Sequence, residues 1–211
     1  KRANCAPRFL TYGCAVGLEE MATEIDVMGR RIGLGAHPVG IDLDRVRDAL
    51  AREDIDKETA RLRDELGDTR LILSVERLDF TKGILEKLNA YERLLEENPR
   101  LCGDVTLVVV CVPAARGMAI YEELQAQIEQ TVGRIKGRFE RIDWAPLKFF
   151  FRAVPFEQLV VYYRLADVMW ISPLRDGLNL VSKEYMAVQG LTDGSGRSEE
   201  RRVGKECATG C

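Results

Sequence analysis

Val105–Val112 reads VTLVVVCV, a continuous run rich in β-branched residues, apolar but for Thr106 and free of charge. A strand with one face in water alternates apolar and polar side chains. A strand covered on both faces is apolar throughout, so this run predicts a strand inside a parallel sheet. Parallel strands need a crossover to join them, usually a helix. The neighbouring sequence supplies two. Residues 83–97 place Ile84, Leu85, Leu88, Tyr91, Leu94 and Leu95 at helical spacing, and Asn98-Pro99 closes the stretch. Residues 118–135 repeat the pattern at Met118, Tyr121, Leu124, Ile128, Val132 and Ile135.

The same alternation extends in both directions. Residues 70–75 (RLILSV), 147–151 and Val168–Ile171 read as strands, and residues 155–165 and 178–188 as helices. Strand and helix alternate four times, the signature of right-handed βαβ units, so the expected fold class is α/β with a doubly wound parallel sheet. Upstream, residues 31–36 (RIGLGA) read as a short strand entering the turn His37-Pro38-Val39-Gly40. Residues 42–66 form one charged, helix-compatible stretch with Val46, Leu50, Leu62 and Leu66 inward, stopped by Gly67. There is no internal repeat and no low-complexity segment.

Composition narrows the function classes. The chain has 211 residues, with 31 Lys and Arg against 34 Asp and Glu, a formal net charge of −3. Hydrophobic residues make up 46% and charged residues 31%, which fits a globular domain with a real core rather than a disordered or fibrous chain. An acidic balance gives no general reason to bind nucleic acid. No apolar run approaches the roughly 18 residues of a membrane span. The six cysteines, Cys5, Cys14, Cys102, Cys111, Cys207 and Cys211, include no CxxC pair, so a reducing cytoplasm is the expected compartment. The single histidine, His37, cannot build a multi-histidine metal site and reads as a structural turn residue. Residues 1–10 lack both an apolar signal core and an initiator methionine, so the chain is expected to begin in mid-protein.

Ligands of open α/β sheets bind outside the carboxyl ends of the strands. Three loops there carry charge: Glu76-Arg77-Leu78-Asp79-Phe80-Thr81-Lys82-Gly83, Pro113-Ala114-Ala115-Arg116-Gly117, and Ser172-Pro173-Leu174-Arg175-Asp176-Gly177-Leu178-Asn179. Any one of Arg77, Lys82, Arg116 and Arg175 alone would pass as a surface residue. Gathered on three strand ends of an acidic protein, they point to an anionic ligand, with phosphate or diphosphate the natural candidate. A helix starting near Gly177–Asn179 would add backbone amides and a favourable dipole end, and Glu184, about one turn in, could accept from ribose hydroxyls. No GxxxxGK[ST] loop, no GxGxxG after a strand and no GxSxG elbow is present. These absences disfavour a P-loop nucleotidase, a dinucleotide-dependent oxidoreductase and a serine hydrolase.

At these loops the sequence resembles a known family. SVERLDFTKG (residues 74–83) and PLRDGLNLVSKEY (residues 173–185) are similar to the trehalose-6-phosphate synthase family of retaining glucosyltransferases. The resemblance covers most of residues 8–196 and matches the family's second half. It implies the Rossmann-like donor-binding half of a GT-B glycosyltransferase. Residues 1–40 would lead out of a preceding domain, and residues 41–196 would form the nucleotide-sugar-binding domain. VVVCVPAARGM (108–118), FFFRAVPFE (149–157) and LTDGSG (191–196) most resemble the members that transfer glucose from ADP-glucose to glycerol 3-phosphate. The alternatives are transfer from UDP-glucose to glucose 6-phosphate, and a non-catalytic sugar-nucleotide-binding module.

The resemblance implies that Arg77 and Lys82 hold the donor diphosphate and that Asp176 contacts the donor glucose. Leu178, Asn179, Leu180 and Val181 would present backbone amides, Glu184 would bind the ribose and Arg116 the acceptor phosphate. It implies no cofactor and no metal, because Arg and Lys neutralise the leaving group. Ser182 replaces the family's more frequent alanine, and Phe80 its frequent tyrosine. The family builds its acceptor pocket largely from its first domain, so this chain alone is expected to turn over little or not at all. Residues 197–211 (RSEERRVGKECATGC) have almost no apolar content. Most of this stretch resembles an in-frame translation of a sequencing-library adapter. Residues 197–211 are therefore expected to be non-native, and the strand and helix that should follow Gly196 to be missing.

Overall fold

The computed structural model describes residues 24–33, 39–113, 119–192 and 197–200. The chain divides into two compact units, Lys1–Gly40 and Ile41–Cys211. In the first, β1 (Glu24–Val27) pairs antiparallel with β2 (Arg30–Gly33). The turn residues Met28 and Gly29 both have positive φ, 54° and 77°, as a two-residue turn that follows the twist of its strands requires. The strand expected at residues 31–36 thus sits at Arg30–Gly33. His37 lies outside the described residues.

The second unit opens with α1 (Leu43–Leu50), capped by Asp42, whose Oδ1 accepts from the Asp44 and Arg45 amides at 3.1 and 3.0 Å. Then comes α2 (Glu53–Leu66), ended by Gly67 at φ 56°. The single stretch expected over residues 42–66 is therefore two helices, broken where Arg52 turns extended. The physical reason is phase. Val46 and Ile55 are both buried, yet nine residues are about two and a half helical turns, which would put them on opposite sides of one straight helix. The break returns Ile55 to the core.

The remaining elements are β3 (Arg70–Arg77), α3 (Ile84–Glu97), β4 (Val105–Val112), α4 (Ala119–Phe139), β5 (Leu147–Phe150), α5 (Phe156–Leu165), β6 (Val168–Ile171), α6 (Leu180–Leu191) and β7 (Arg197–Glu200). The strands form one parallel sheet in the order β5-β4-β3-β6-β7. The chain leaves β3 toward one edge through α3 and α4, then returns to build the other edge through α5 and α6. That is double winding, as expected from the alternation.

Each face has its own core. Leu107, Val109 and Cys111 pack with Ile84, Leu88, Tyr91 and Leu95 of α3 and Ile128 and Ile135 of α4. Val108 and Val110 pack with side chains of α1, α2, α5 and α6. The two-sided burial read from VTLVVVCV is therefore the observed packing of β4. Cys111 is fully buried and its thiol is pushed up to about 12 by burial, as befits a small core residue.

Several expected boundaries move: β3 runs on through Glu76 and Arg77, expected as loop, and α4 runs on to Phe139. α6 begins at Leu180, because Asn179 stands outside the helix and caps it. Past Gly196, where no strand was expected, Arg197–Glu200 pairs in parallel with β6, Val168 opposite Arg197 and Ile171 opposite Glu200. An edge strand is held by backbone hydrogen bonds, which are indifferent to the polar side chains that hid it in the sequence. Residues 201–211 lie outside the described residues. Among the described residues no helix is long and apolar enough to cross a membrane.

Candidate functional site

β3 pairs with β4 along its whole length, from Arg70 opposite Val105 to Arg77 opposite Val112. With β6 it pairs only at Ile72–Val168 and Leu73–Met169. Beyond that the two strands fork. This fork is where the winding reverses, the place where doubly wound sheets form a crevice for ligands.

The loop leaving β3 is tightly organised. Asp79 Oδ1 accepts from the Thr81 amide at 2.8 Å and from Thr81 Oγ1 at 2.7 Å, capping the one-turn 3-10 helix Phe80–Lys82. Those hydrogen bonds hold the Asp79 carboxyl below its ordinary range. Gly83 follows in the left-handed region, at φ 63° and ψ 36°. A Cβ there would lie 3.2 Å from Leu174 Cγ and 3.3 Å from the Ser172 carbonyl oxygen, so glycine lets the loop leaving β6 come close. The two loops are then stitched together: the amides of Leu174 and Arg175 donate to the Thr81 carbonyl at 2.8 and 3.1 Å.

Across this seam Lys82 Nζ donates to Asp176 Oδ2 at 2.7 Å, with the two side chains only 18% and 14% exposed. Asp176 also accepts from the Leu178 amide at 3.3 Å and from Asn179 Nδ2 at 3.4 Å. Asn179 Oδ1 accepts from the Ser182 amide at 2.9 Å, and Ser182 Oγ donates to the Asn179 carbonyl at 2.9 Å. The cap takes up the Ser182 amide, so Leu180 and Val181 supply the first-turn donors at the positive end of α6. Farther along α6, Glu184 Oε2 accepts from the hydroxyl of the fully buried Tyr163 at 3.0 Å, which aims the carboxylate. Burial, with Glu184 nearby, pushes the Tyr163 hydroxyl up, so it stays a donor.

The fold therefore brings Lys82, Asp176, Leu178 and Asn179 together and sets Leu180, Val181 and Glu184 on the adjoining helix. Arg77 is exposed at the end of β3, its charge felt by Asp79. Arg175 is exposed on the second loop. Arg116 lies outside the described residues. Among the described residues no group of three or more His, Cys, Asp or Glu is placed to hold a metal ion.

Sequence reasoning passed over the floor of the fork. There Lys87, on α3, donates to Ser74 Oγ at 2.6 Å, to Glu76 Oε1, and to the Trp170 carbonyl at 3.2 Å. Burial pushes the Glu76 carboxyl up and the Lys87 ammonium down, each opposed by the other's charge. A signal existed: a helical repeat that buries Ile84, Leu88 and Tyr91 also carries Lys87 inward, and Glu76 interrupts an apolar strand.

Residues 4–195 match the model of Glycosyltransferase family 20. The chain is 69% identical over 195 residues to the glucosylglycerol-phosphate synthase of Pseudomonas anguilliseptica, covering 92% of this chain and 26% of that protein. It thus spans about a quarter of that relative. It is also similar to the α,α-trehalose-phosphate synthase (UDP-forming) of Burkholderia xenovorans in complex with glucose-6-phosphate, with TM-score 0.71 and 33% identity over 78% of this chain and 36% of that one. A third likeness, to an E. coli structure described as trehalose-6-phosphate bound with UDP-2-fluoro glucose, has TM-score 0.73 and 30% identity over 84% of this chain and 39% of that one. A family match over nine-tenths of the sequence agrees with the forked parallel sheet and its two stitched loops: the chain belongs to glycosyltransferase family 20.

Proposed function

We propose that this chain is the donor-binding part of a retaining glucosyltransferase that moves glucose from ADP-glucose to glycerol 3-phosphate. The observation that carries the reading is the meeting of Lys82 and Asp176, 94 residues apart in sequence, across the fork of β3 and β6. A nucleoside diphosphate sugar has the matching chemistry, with an anionic bridge for Lys82 and Arg77 and sugar hydroxyls for Asp176. The ribose falls to Glu184, held by Tyr163. The acceptor phosphate falls to Arg116.

Breaking the bond between glucose C1 and the phosphate oxygen builds negative charge on the departing diphosphate. Cations and amides already in place stabilise that charge most when it is fully formed, which lowers the barrier. The acceptor hydroxyl attacks C1 from the leaving-group face and gives its proton to the departing phosphate oxygen, so configuration is retained. Lys82 and Arg77 supply the neutralisation a divalent cation would give, and the reading calls for no metal or cofactor. The reducing cytoplasm is the proposed compartment, in keeping with the free thiols Cys102 and Cys111.

The 69% identity to a glucosylglycerol-phosphate synthase favours this acceptor over glucose 6-phosphate. Thermal-shift titration with ADP, UDP, ADP-glucose and UDP-glucose tests the donor. The largest stabilisation is expected from ADP-glucose; a larger one from UDP-glucose points to trehalose-6-phosphate synthesis instead. No stabilisation by any of the four overturns the reading.

A further inference from the structure

The ladder between β3 and β6 stops at Leu73 and Met169, and the next rungs are missing. The Lys87 ammonium stands in their place. Its three protons go to Ser74 Oγ on β3, to Glu76 Oε1 on β3, and to the Trp170 carbonyl on β6. Nζ also lies 5.9 Å from the centroid of the Trp170 ring. The side chains of Lys87 and Glu76 are 1% and 4% exposed, and Glu76 Oε2 has no hydrogen-bond partner.

Cohesion does not account for these charges. Apolar side chains of similar volume usually hold a core together as well as a buried ion pair, or better. What the pair adds is direction. Each hydrogen bond fixes a donor and an acceptor in distance and angle, and here the bonds fix two strand ends at the roots of two loops. Six residues past Glu76 comes Lys82, and six past Trp170 comes Asp176. The charges of Lys82 and Asp176 reach the buried pair.

We propose that Lys87, with Glu76, is a positioning residue. Its ammonium replaces the missing β3–β6 rungs and so sets the spacing of the Lys82 and Asp176 loops around the donor. The proposal rests on the reading of the fork as the nucleotide-sugar site. Lys87 touches no ligand and acts through the loops it spaces.

The test uses the 211-residue chain, calorimetric titration with ADP-glucose and UDP-glucose, and urea unfolding. In the double variant K87M/E76M both charges leave together, so the unfolding midpoint is expected to stay close to the parent's. The affinity for the preferred donor is expected to fall by about tenfold or more, because misplaced binding groups are costly even when intact. Lys87→Arg keeps the charge and the donors, and is expected to keep most of the affinity. Unchanged affinity in the double variant overturns the proposal, as does an affinity loss that merely follows a loss of stability. Should the double variant fail to fold, Ser74→Ala removes a single acceptor and decides: weaker binding at unchanged stability supports the proposal, and unchanged binding overturns it. If the parent chain binds neither nucleotide sugar, the donor-site reading falls, and this inference with it. Parent binding that the variants leave intact removes this inference alone.

Discussion

Lys82 and Asp176 neutralise each other across the seam, and their side chains are largely shielded from solvent. A bare diphosphate that draws Lys82 away leaves the Asp176 carboxylate without its main partner. A nucleotide sugar replaces that partner with hydroxyl donors. Asp176→Asn removes the competing charge while keeping a hydrogen-bonding side chain. Its expected effect is to strengthen ADP binding by about fivefold, the loss of one modest charge-assisted contact. ADP-glucose should lose most of its advantage over ADP. Parallel calorimetric titrations with the two ligands measure that ratio, and an unchanged ratio contradicts the mechanism. Gly83 carries the other single-residue constraint. Gly83→Ala adds a methyl group at φ 63° against Leu174 and the Ser172 carbonyl, and is expected to cost about 1–3 kcal/mol in urea unfolding. Gly83→Asn should be less harmful than its size suggests, because asparagine tolerates the left-handed region.

The elements around the site are tied by carboxylates that work only when ionised. Asp79 caps the Phe80–Lys82 turn, and Glu92 on α3 accepts from Arg134 and Arg138 on α4. Thr81 lowers the Asp79 carboxyl, and Arg134 foremost, with Arg138, lowers that of Glu92. The sign follows from linkage. A carboxyl that binds its proton more weakly in the folded chain stabilises the fold above its unfolded value, and that stabilisation fades as pH falls through the folded one. The stabilisation from Asp79 and Glu92 should therefore be fully present above about pH 4 and fade below it. Urea midpoints measured between pH 6 and pH 3 check this, and Glu92→Gln should make the acid slope shallower. Helix placement obeys similar local chemistry. Asn179 delays the start of α6, and the phase conflict between Val46 and Ile55 splits α1 from α2.

The two cores of the second unit lie on opposite faces of one sheet, and β4 is buried on both. Leu107, Val109 and Cys111 of β4 face one, and Val108 and Val110 the other. A cavity on either side is therefore felt through the same backbone. Leu107→Ala, at a fully buried position, is expected to cost about 2–5 kcal/mol. Unfolding followed by tryptophan fluorescence and by circular dichroism should still give one coincident transition; two separate transitions would mean that the faces unfold independently. The alternation of β-strands and helices, the double winding and the two-sided burial of β4 were legible in the sequence, because each depends on the local periodicity of apolar side chains. So was the placing of Arg77, Lys82 and Asp176 at one edge, because a parallel sheet sends all its carboxyl ends there; Arg116 lies outside the described residues. The forking of β3 from β6, the Lys82–Asp176 pair, the buried Lys87–Glu76 pair and the edge strand β7 were decided by the tertiary structure alone. Each joins residues far apart in the chain through a particular distance, angle or backbone edge, and no periodicity in a single sequence encodes those.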